Sequence, residues 1–450
     1  MTFTPASLRW LETILEERYG LRLTLREEGQ ELTLALPGAE GRIRFDTLKP
    51  EFHQSRSDFP CGRWDAAGEG FTPALGEPLP TPAMAELPAR MVEQAGQGDV
   101  VIHYDILGLT YWMLTRLEEV GRTDLDDHGR FPATSSHAYE HEYLERPIVD
   151  EWLNLLAQVI KIQWPGVELK KHQFSIKVSH DVDWPSRYGF KTWTSLLKTM
   201  GGDLLKRRQL QGLWVGPRVK LNSGEKLHPL DPANTFEWIM DESEKSGLTS
   251  AFYFISGRTD PGKDSDYELE HPAIRSLLHR INERGHEIGL HPSYGTYQAP
   301  QLIGQEFSRL KSVCEKEGIS QSEWGGRMHF LRWEQPTTLQ AWNDAGLNYD
   351  STLSYADRPG FRCGTCFEYF AFNPLCQSAL NVRVRPLVAM ECTVIARRYL
   401  GLGASEEALN KFMELKEGCR KVGGCFSLLW HNTEFETQWK MDIYKRLIHL

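Results

Sequence analysis

Five polar residues in the second half of the chain stand where predicted strands end, and their types suit a metal-dependent hydrolase. Carboxylates and imidazoles bind zinc and similar ions, arginine keeps a carboxylate ionised, and histidine can donate a proton near neutral pH. Active sites of α/β barrels form at the carboxyl ends of the parallel strands, so we expect these side chains to lie together. The five residues are Asp181, Asp183, His291, Arg327 and His431.

The segment 174–183, FSIKVSHDVD, carries two of the carboxylates. Side chains alternate along a strand, so Asp181 and Asp183 share one face and His180 lies on the other. Two neighbouring carboxylates repel each other unless positive charge compensates them. A metal ion for one and an arginine for the other would satisfy both. The alternative is a pair of helix-capping or turn aspartates.

Three later segments supply the other candidates. His291 ends the apolar segment HEIGLH, and an imidazole there is a suitable metal ligand. In GGRMHF, Arg327 and His329 share a face, and a guanidinium can hold a carboxylate through two hydrogen bonds. His431 follows the apolar segment CFSLLW and could serve as a general acid.

Taken in order, the motifs SHDVD, HEIGLHPSY, GGRMHF and LLWHN resemble those of the polysaccharide deacetylases with the NodB homology domain, carbohydrate esterase family 4. More narrowly, the sequence resembles deacetylase-like proteins of bacterial surface-polysaccharide and O-antigen clusters. It covers the chain from about residue 174 to the C-terminus. It implies a distorted (β/α)7-type barrel, with Asp181 as general base and Asp183 as metal ligand.

The resemblance implies hydrolysis of an N-acyl group, in the first instance N-acetyl, from an amino sugar in surface-polysaccharide or lipopolysaccharide biosynthesis. One divalent metal, with zinc expected, would activate water, Asp181 held by Arg327 would take the proton, and His431 would protonate the leaving amine. The sugar could be free, nucleotide-linked or lipid-linked. The alternatives are a sugar deformylase and a catalytically silent carbohydrate-binding protein.

One position departs from the family pattern. The family has a second metal histidine four residues after the first, but the position four after His291 is Gly295. Catalytic zinc usually has three protein ligands, and His329 is predicted as the third because it shares a face with Arg327. This prediction requires GGRMHF to stay extended through His329. Three nearby candidates point outward or lie deeper along their strands: His180, His286 and Glu287.

A second metal-like motif lies earlier in the chain. His137, Glu140 and His141 match the inverted zinc-protease pattern H-x-x-E-H. Such a site needs a sturdy helix, whereas this segment is short, has no apolar face and runs into Pro147. We therefore expect a solvated polar segment rather than a protease site.

The chain divides into two predicted regions. Residues 1–168 suggest an accessory α+β domain, with a first helix, a small antiparallel meander and a proline-rich surface loop at about 51–98. Asp105 and Pro147 stand at the starts of two further helices. Strand-like and helical segments then alternate through 169–450, which indicates a parallel sheet and the catalytic barrel.

The composition is that of a globular protein, and it excludes several classes. The 450 residues are 40% hydrophobic and 25% charged, and the net charge of −10 argues against a broad nucleic-acid surface. No apolar run approaches the roughly 18–20 residues of a membrane span, and the first residues do not resemble a signal peptide. We therefore expect a cytoplasmic protein whose eight cysteines are thiols.

Overall fold

The computed structural model describes residues 2–206, 208 and 210–449. The first region contains a five-stranded sheet in the order β1-β2-β3-β7-β6 and a separate two-stranded ribbon, with helices packed around them. Its elements are α1 (Pro5–Tyr19), β1 (Thr24–Glu28), β2 (Glu31–Ala35), β3 (Ile43–Phe45), β4 (Cys61–Trp64), β5 (Leu79–Pro82), β6 (Val92–Gln94), β7 (Val100–Ile102), α2 (Ile106–Leu114), α3 (His137–Glu140) and α4 (Ile148–Gln163).

Local sequence signals account for the helix starts. Thr4 and Ser7 form a capping box around the first turn of α1, and Gly20 ends that helix with a φ of 69°. Asp105 caps α2, as predicted, by accepting a hydrogen bond from the backbone N–H of Gly108 at 2.7 Å. The antiparallel meander predicted from the alternating segments is formed by β1, β2 and β3.

Residues 51–98 differ from the predicted surface loop. They contain β4, β5 and β6, and they bury Trp64 and Leu79. Trp64 stacks on Trp152 of α4 with ring centroids 5.5 Å apart. Two of the four residues of β5 are prolines, which have no backbone N–H, so the strand gives no alternating pattern and only a two-stranded ribbon forms.

The second region contains a nine-stranded sheet in the order β13-β14-β12-β11-β10-β9-β8-β16-β15. All neighbouring pairs are parallel except β13 with β14. The elements are β8 (Ser175–Val182), α5 (Trp193–Lys206), α6 (Gly212–Asn222), α7 (Phe236–Lys245), β9 (Ser250–Ile255), α8 (Pro272–Glu283), β10 (Glu287–His291), α9 (Gln301–Lys316), β11 (Gly325–Gly326), α10 (Thr337–Asp344), β12 (Tyr349–Asp350), β13 (Tyr369–Asn373), β14 (Ser378–Val384), β15 (Ala389–Met390), α11 (Glu391–Ile395), α12 (Glu406–Lys421), β16 (Cys425–Leu429) and α13 (Gln438–Ile448).

This is a mixed α/β fold, and the closed (β/α)7 barrel stays a prediction. The sheet has two ends, β13 and β15. The segment 378–390 carries both β14, which pairs with β12, and β15, which pairs with β16. Between them Arg385 N–H donates to the Asp350 carbonyl and Val388 N–H donates to the Ser427 carbonyl. One irregular segment thus contacts strands from both halves of the sheet.

The two predicted regions share one continuous hydrophobic core. The Trp10 indole N–H of α1 donates to the Phe370 carbonyl of β13 at 2.7 Å. Arg362 forms a buried ion pair with Glu119, a residue of the first region. The first region is therefore packed into the fold that carries the site. Within the described residues, no helix combines the length and apolarity needed to cross a bilayer.

Candidate metal centre

Parallel pairing in register brings the predicted residues to one edge of the nine-stranded sheet. Val182 of β8 and Leu290 of β10 both align with Phe254 of β9. The next residues along the two outer strands, Asp183 and His291, therefore lie at the same level. The strand order and register thus place a carboxylate and an imidazole at the same level, on the two sides of β9.

Asp183, His291 and His329 form a candidate metal-ligand group. One ligand atom from each lies within 4.8 Å of the other two. His291 Nε2 is 3.3 Å and His329 Nε2 is 3.6 Å from Asp183 Oδ1. Both imidazoles are buried, whereas the Asp183 side chain is partly exposed to the adjoining cavity.

Hydrogen bonds to the other ring nitrogen fix the orientation of both imidazoles. His291 Nδ1 donates to the Arg327 carbonyl at 2.6 Å, and His329 Nδ1 donates to Asp264 Oδ1 at 3.1 Å. With the proton on Nδ1, each Nε2 directs its lone pair towards Asp183. Asp264 is itself held by the backbone N–H groups of Thr259, Asp260 and Tyr294.

This group fits a divalent cation. Asp183 Oδ1 is buried and accepts no hydrogen bond, because the nearest nitrogens carry no proton in that tautomer. Burial alone would raise the pKa of Asp183, but when His329 and His291 are protonated their charge holds the pKa below its usual range, and a bound cation would take the place of that charge. One carboxylate oxygen and two imidazole nitrogens supply the three protein ligands typical of catalytic zinc.

The second carboxylate of β8 is paired with arginine. Arg327 Nη1 donates to Asp181 Oδ1 at 2.7 Å, and both side chains are buried. Arg327 is fixed in turn by hydrogen bonds to Ser179 Oγ and to the Ser351 carbonyl. Burial alone would raise the pKa of Asp181, but the guanidinium outweighs burial and holds the pKa below its usual range. Asp181 is therefore a carboxylate at neutral pH.

His431 forms a pair with a carboxylate that the sequence analysis missed. His431 Nδ1 donates to Glu391 Oε1 at 2.5 Å, and its Nε2 is 3.8 Å from Asp183 Oδ2. Burial alone would lower the pKa of His431, but Glu391 raises it well above its usual range. Glu391 directly follows β15, and its place at a strand end is the signal that could have identified it. Asp264 lies in an irregular loop and gives no such signal.

The motif GGRMHF folds differently from the extended strand that was predicted. β11 ends at Gly326, and a short 3-10 turn begins at His329. A Cβ on Gly326 would lie 1.8 Å from the Leu290 carbonyl oxygen, so only glycine lets β11 approach β10 this closely. Phe330 then adopts a φ of 60°, a left-handed conformation that costs energy in a non-glycine residue. The turn nevertheless directs His329 towards Asp183.

The three other residues considered as a third metal ligand lie away from Asp183, as their positions along the strands predicted. His180 is buried on the helix side of the sheet, where Nδ1 donates to the Trp430 carbonyl at 2.6 Å. His286 Nδ1 accepts from the backbone N–H of Ser250 at 3.0 Å. Glu287 accepts a hydrogen bond from the Tyr349 hydroxyl at 2.9 Å, at the opposite end of β10 from His291.

The segment with the protease-like motif is not the solvated stretch that was predicted. His137 is fully buried, with Nδ1 2.6 Å from the Tyr143 hydroxyl and Nε2 2.9 Å from the Phe59 carbonyl. His141 Nε2 lies 3.2 Å from the same carbonyl. The helix is only four residues long and packs its histidine against aromatic rings. Here the imidazoles satisfy a buried loop carbonyl.

One cavity of about 190 Å³ is lined by the candidate metal-ligand group, by the Asp181 carboxylate and by His431. Phe330 and Tyr399 contribute apolar surface, and Arg130 comes from the first region of the chain. Arg130 also donates to the Phe330 carbonyl at 2.8 Å and so supports the turn after His329. Other lining residues include Leu331, Met390, Cys392, Arg398, Thr433 and Glu434.

Comparisons with known proteins are sparse. DUF7033, described as a family of unknown function, matches residues 10–165, a span that ends before β8. No curated protein matches the chain. Among solved structures, a protein from Mycobacterium smegmatis that is provisionally assigned as a polysaccharide deacetylase is similar over 62% of this chain and 84% of its own. The TM-score of this similarity is 0.38, and the sequence identity is 14%.

Proposed function

We propose that the chain is a metal-dependent hydrolase that removes an N-acyl group, in the first instance N-acetyl, from an amino sugar. One observation carries the proposal. A carboxylate with two imidazoles, an arginine-held carboxylate and a carboxylate-held histidine all line the same small cavity. They would serve as a metal site, a base and an acid, the three functions that a metal-dependent amide hydrolase combines.

Asp183, His291 and His329 would hold the ion, and their donor set suits zinc. When bound, the metal polarises the acyl oxygen and lowers the pKa of a water molecule. The backbone carbonyl of Arg327 and the carboxylate of Asp264 keep both imidazoles in the tautomer that binds a cation.

Asp181 is suited to remove the proton of the attacking water. Its Oδ1 is engaged by Arg327, while Oδ2 lies 3.7 Å from His291 Nε2, on the side of the metal group. The carboxylate is ionised before the reaction begins because of the guanidinium beside it. Arg327 thus orients the base without itself facing the metal group.

His431 is suited to protonate the leaving nitrogen. An amine leaves an amide readily only after it receives a proton, and Glu391 raises the pKa of His431 well above its usual range, which suits the ring to carry that proton. Glu391 holds Nδ1, which leaves Nε2 directed towards Asp183. Asp181 and His431 therefore approach the metal group from neighbouring strands, one as base and one as acid.

The proposal also includes the distorted barrel around the site, the sugar-binding wall of the cavity and the biosynthetic role. The segment 378–390, which contacts both β12 and β16, supports a distorted barrel around the site. The rings of Phe330 and Tyr399 in the cavity wall suit the apolar face of a sugar. The proposed role in surface-polysaccharide or lipopolysaccharide biosynthesis rests on the sequence resemblance.

The test is hydrolysis of N-acetylated chitooligosaccharides, followed by release of free amine. Asp181→Asn and His431→Ala should retain bound metal but lose activity by about 100- to 10,000-fold, the usual cost of losing a base or acid. Asp344→Asn and His279→Ala, which change the same residue types at exposed positions outside the cavity, serve as matched controls. Activity within a few-fold of the parent in either site variant would remove the role assigned to that residue.

A further inference from the structure

The helices α5 and α6 expose an unusual amount of apolar surface. The described part of the chain exposes fourteen large apolar side chains, and eight of them lie between residues 193 and 230. Contiguous exposed apolar surface marks binding sites for proteins or membranes. The eight residues are Trp193, Leu197, Leu205, Leu210, Leu213, Trp214, Leu221 and Leu230.

This exposed surface is distinct from the packing between the two helices. Leu196 and Met200 of α5 pack against Val215 and Val219 of α6, together with Tyr188, in a small cluster separate from the main core. The helices are thus already joined through one apolar side. Six of the eight exposed residues lie on the two helices, and none of them belongs to this packing cluster.

The charge of this segment is opposite to that of the whole chain. Residues 190–226 contain eight lysines and arginines but only two acidic residues, a net charge of +6, whereas the chain carries −10. One of the two acids, Asp203, is buried in an ion pair with Arg187. Exposed leucine and tryptophan flanked by basic residues are typical of helices that lie in the surface of an anionic membrane.

The segment also borders a route to the metal centre. A cavity of about 760 Å³ lies against the two helices and is lined by Thr199, Gly212 and Val215. Thr433 and Glu434 line both this cavity and the smaller one that contains the metal group. The larger cavity therefore adjoins the cavity that contains the candidate metal-ligand group.

We propose that α5 and α6 dock on the surface of a membrane that contains anionic phospholipid, and that the substrate is an amino sugar carried on a membrane lipid. The basic residues would meet the lipid phosphates, and the leucines and tryptophans would enter the interface. The larger cavity would then face the lipid-linked sugar. The docking stands on the surface itself, whereas the substrate class rests on the proposed function.

The experiment sediments the full-length protein with vesicles of phosphatidylcholine, with and without phosphatidylglycerol. The parent should bind the anionic vesicles and be released by high salt. The triple variant Leu197→Ser, Leu205→Ser and Leu221→Ser should bind about tenfold more weakly or worse, since interfacial affinity scales with buried apolar area. Leu87→Ser, Leu125→Ser and Leu375→Ser, which also change three exposed leucines, form the matched control and should bind as the parent does.

The docking proposal is overturned if the parent does not sediment with anionic vesicles, or if both triple variants lose binding equally. It is also overturned if the parent forms dimers that the first triple variant abolishes, without any vesicle binding. Asp183→Asn should bind vesicles normally, so the readout does not depend on hydrolysis.

The first triple variant should hydrolyse a soluble chitooligosaccharide at the parent rate, but an N-acetylglucosamine glycolipid in vesicles about tenfold more slowly. Equal rates on the glycolipid would overturn the substrate class, and no turnover of either substrate by the parent would refute the proposed function while leaving docking intact.

Discussion

Asp181 and Asp183 show how two carboxylates on one strand face acquire different environments. Asp181 points at a buried guanidinium, which supplies its counter-charge within the protein. Asp183 has only imidazole nitrogens near Oδ1, and that oxygen lacks a hydrogen-bond donor. The first arrangement suits a base, and the second leaves room for a cation.

The Glu391–His431 pair predicts a specific pH dependence. If His431 is the acid, it must be protonated, so activity is lost as pH rises through its pKa. Glu391→Gln removes the anion that raises this pKa, so the alkaline limb of the kcat/KM profile should move to lower pH. Glu407→Gln, an exposed change on α12, is the control. An unmoved alkaline limb in the Glu391 variant would show that His431 is not the acid that the profile reports.

At the scale of elements, the alternation of side chains along strands predicted on which face of the sheet most of the candidate site residues lie. β8, β10 and β16 carry regular apolar patterns, and parity correctly separated Asp181 and His291 from His180. β11 is shorter than predicted because its neighbours fix only two residues of it. His329 reaches the group through a turn whose left-handed Phe330 no periodic pattern indicates.

Other elements could not be predicted for physical reasons. β12 is only two residues long, and α6 exposes apolar side chains as well as burying them, so it shows no clear amphipathic period. Asp264 and Glu391 act through contacts with histidines distant in sequence, which depend on the completed fold. The candidate ligand residues could thus be predicted from the sequence, whereas the groups that orient them could not.

At the scale of the whole molecule, the first region is part of the structure that supports the site. Arg130 holds the turn after His329, and Glu119 pairs with Arg362 in the shared core. Glu119 also contacts Arg116, so the buried charges form a network. Residues 1–168 and residues 169–450 should therefore unfold together.

Glu119→Gln tests this coupling. Removing one partner of a buried ion pair typically costs about 3–5 kcal/mol of stability, because the other charge stays buried. Denaturant unfolding should show one cooperative transition at a lower midpoint, whereas exposed Glu323→Gln should leave the midpoint near that of the parent. Two separate transitions, with only one of them shifted, would mean that residues 1–168 fold independently.

The central claim is that Asp183, His291 and His329 hold a divalent metal, and elemental analysis of the purified protein tests it most directly. The parent, loaded with zinc and then dialysed, should retain about one ion per chain. Asp183→Asn and His329→Ala should each lose most of that metal, while His279→Ala, a histidine change on the surface of α8, should keep it. Full occupancy in both site variants, or a parent that retains no metal after loading, would contradict the account.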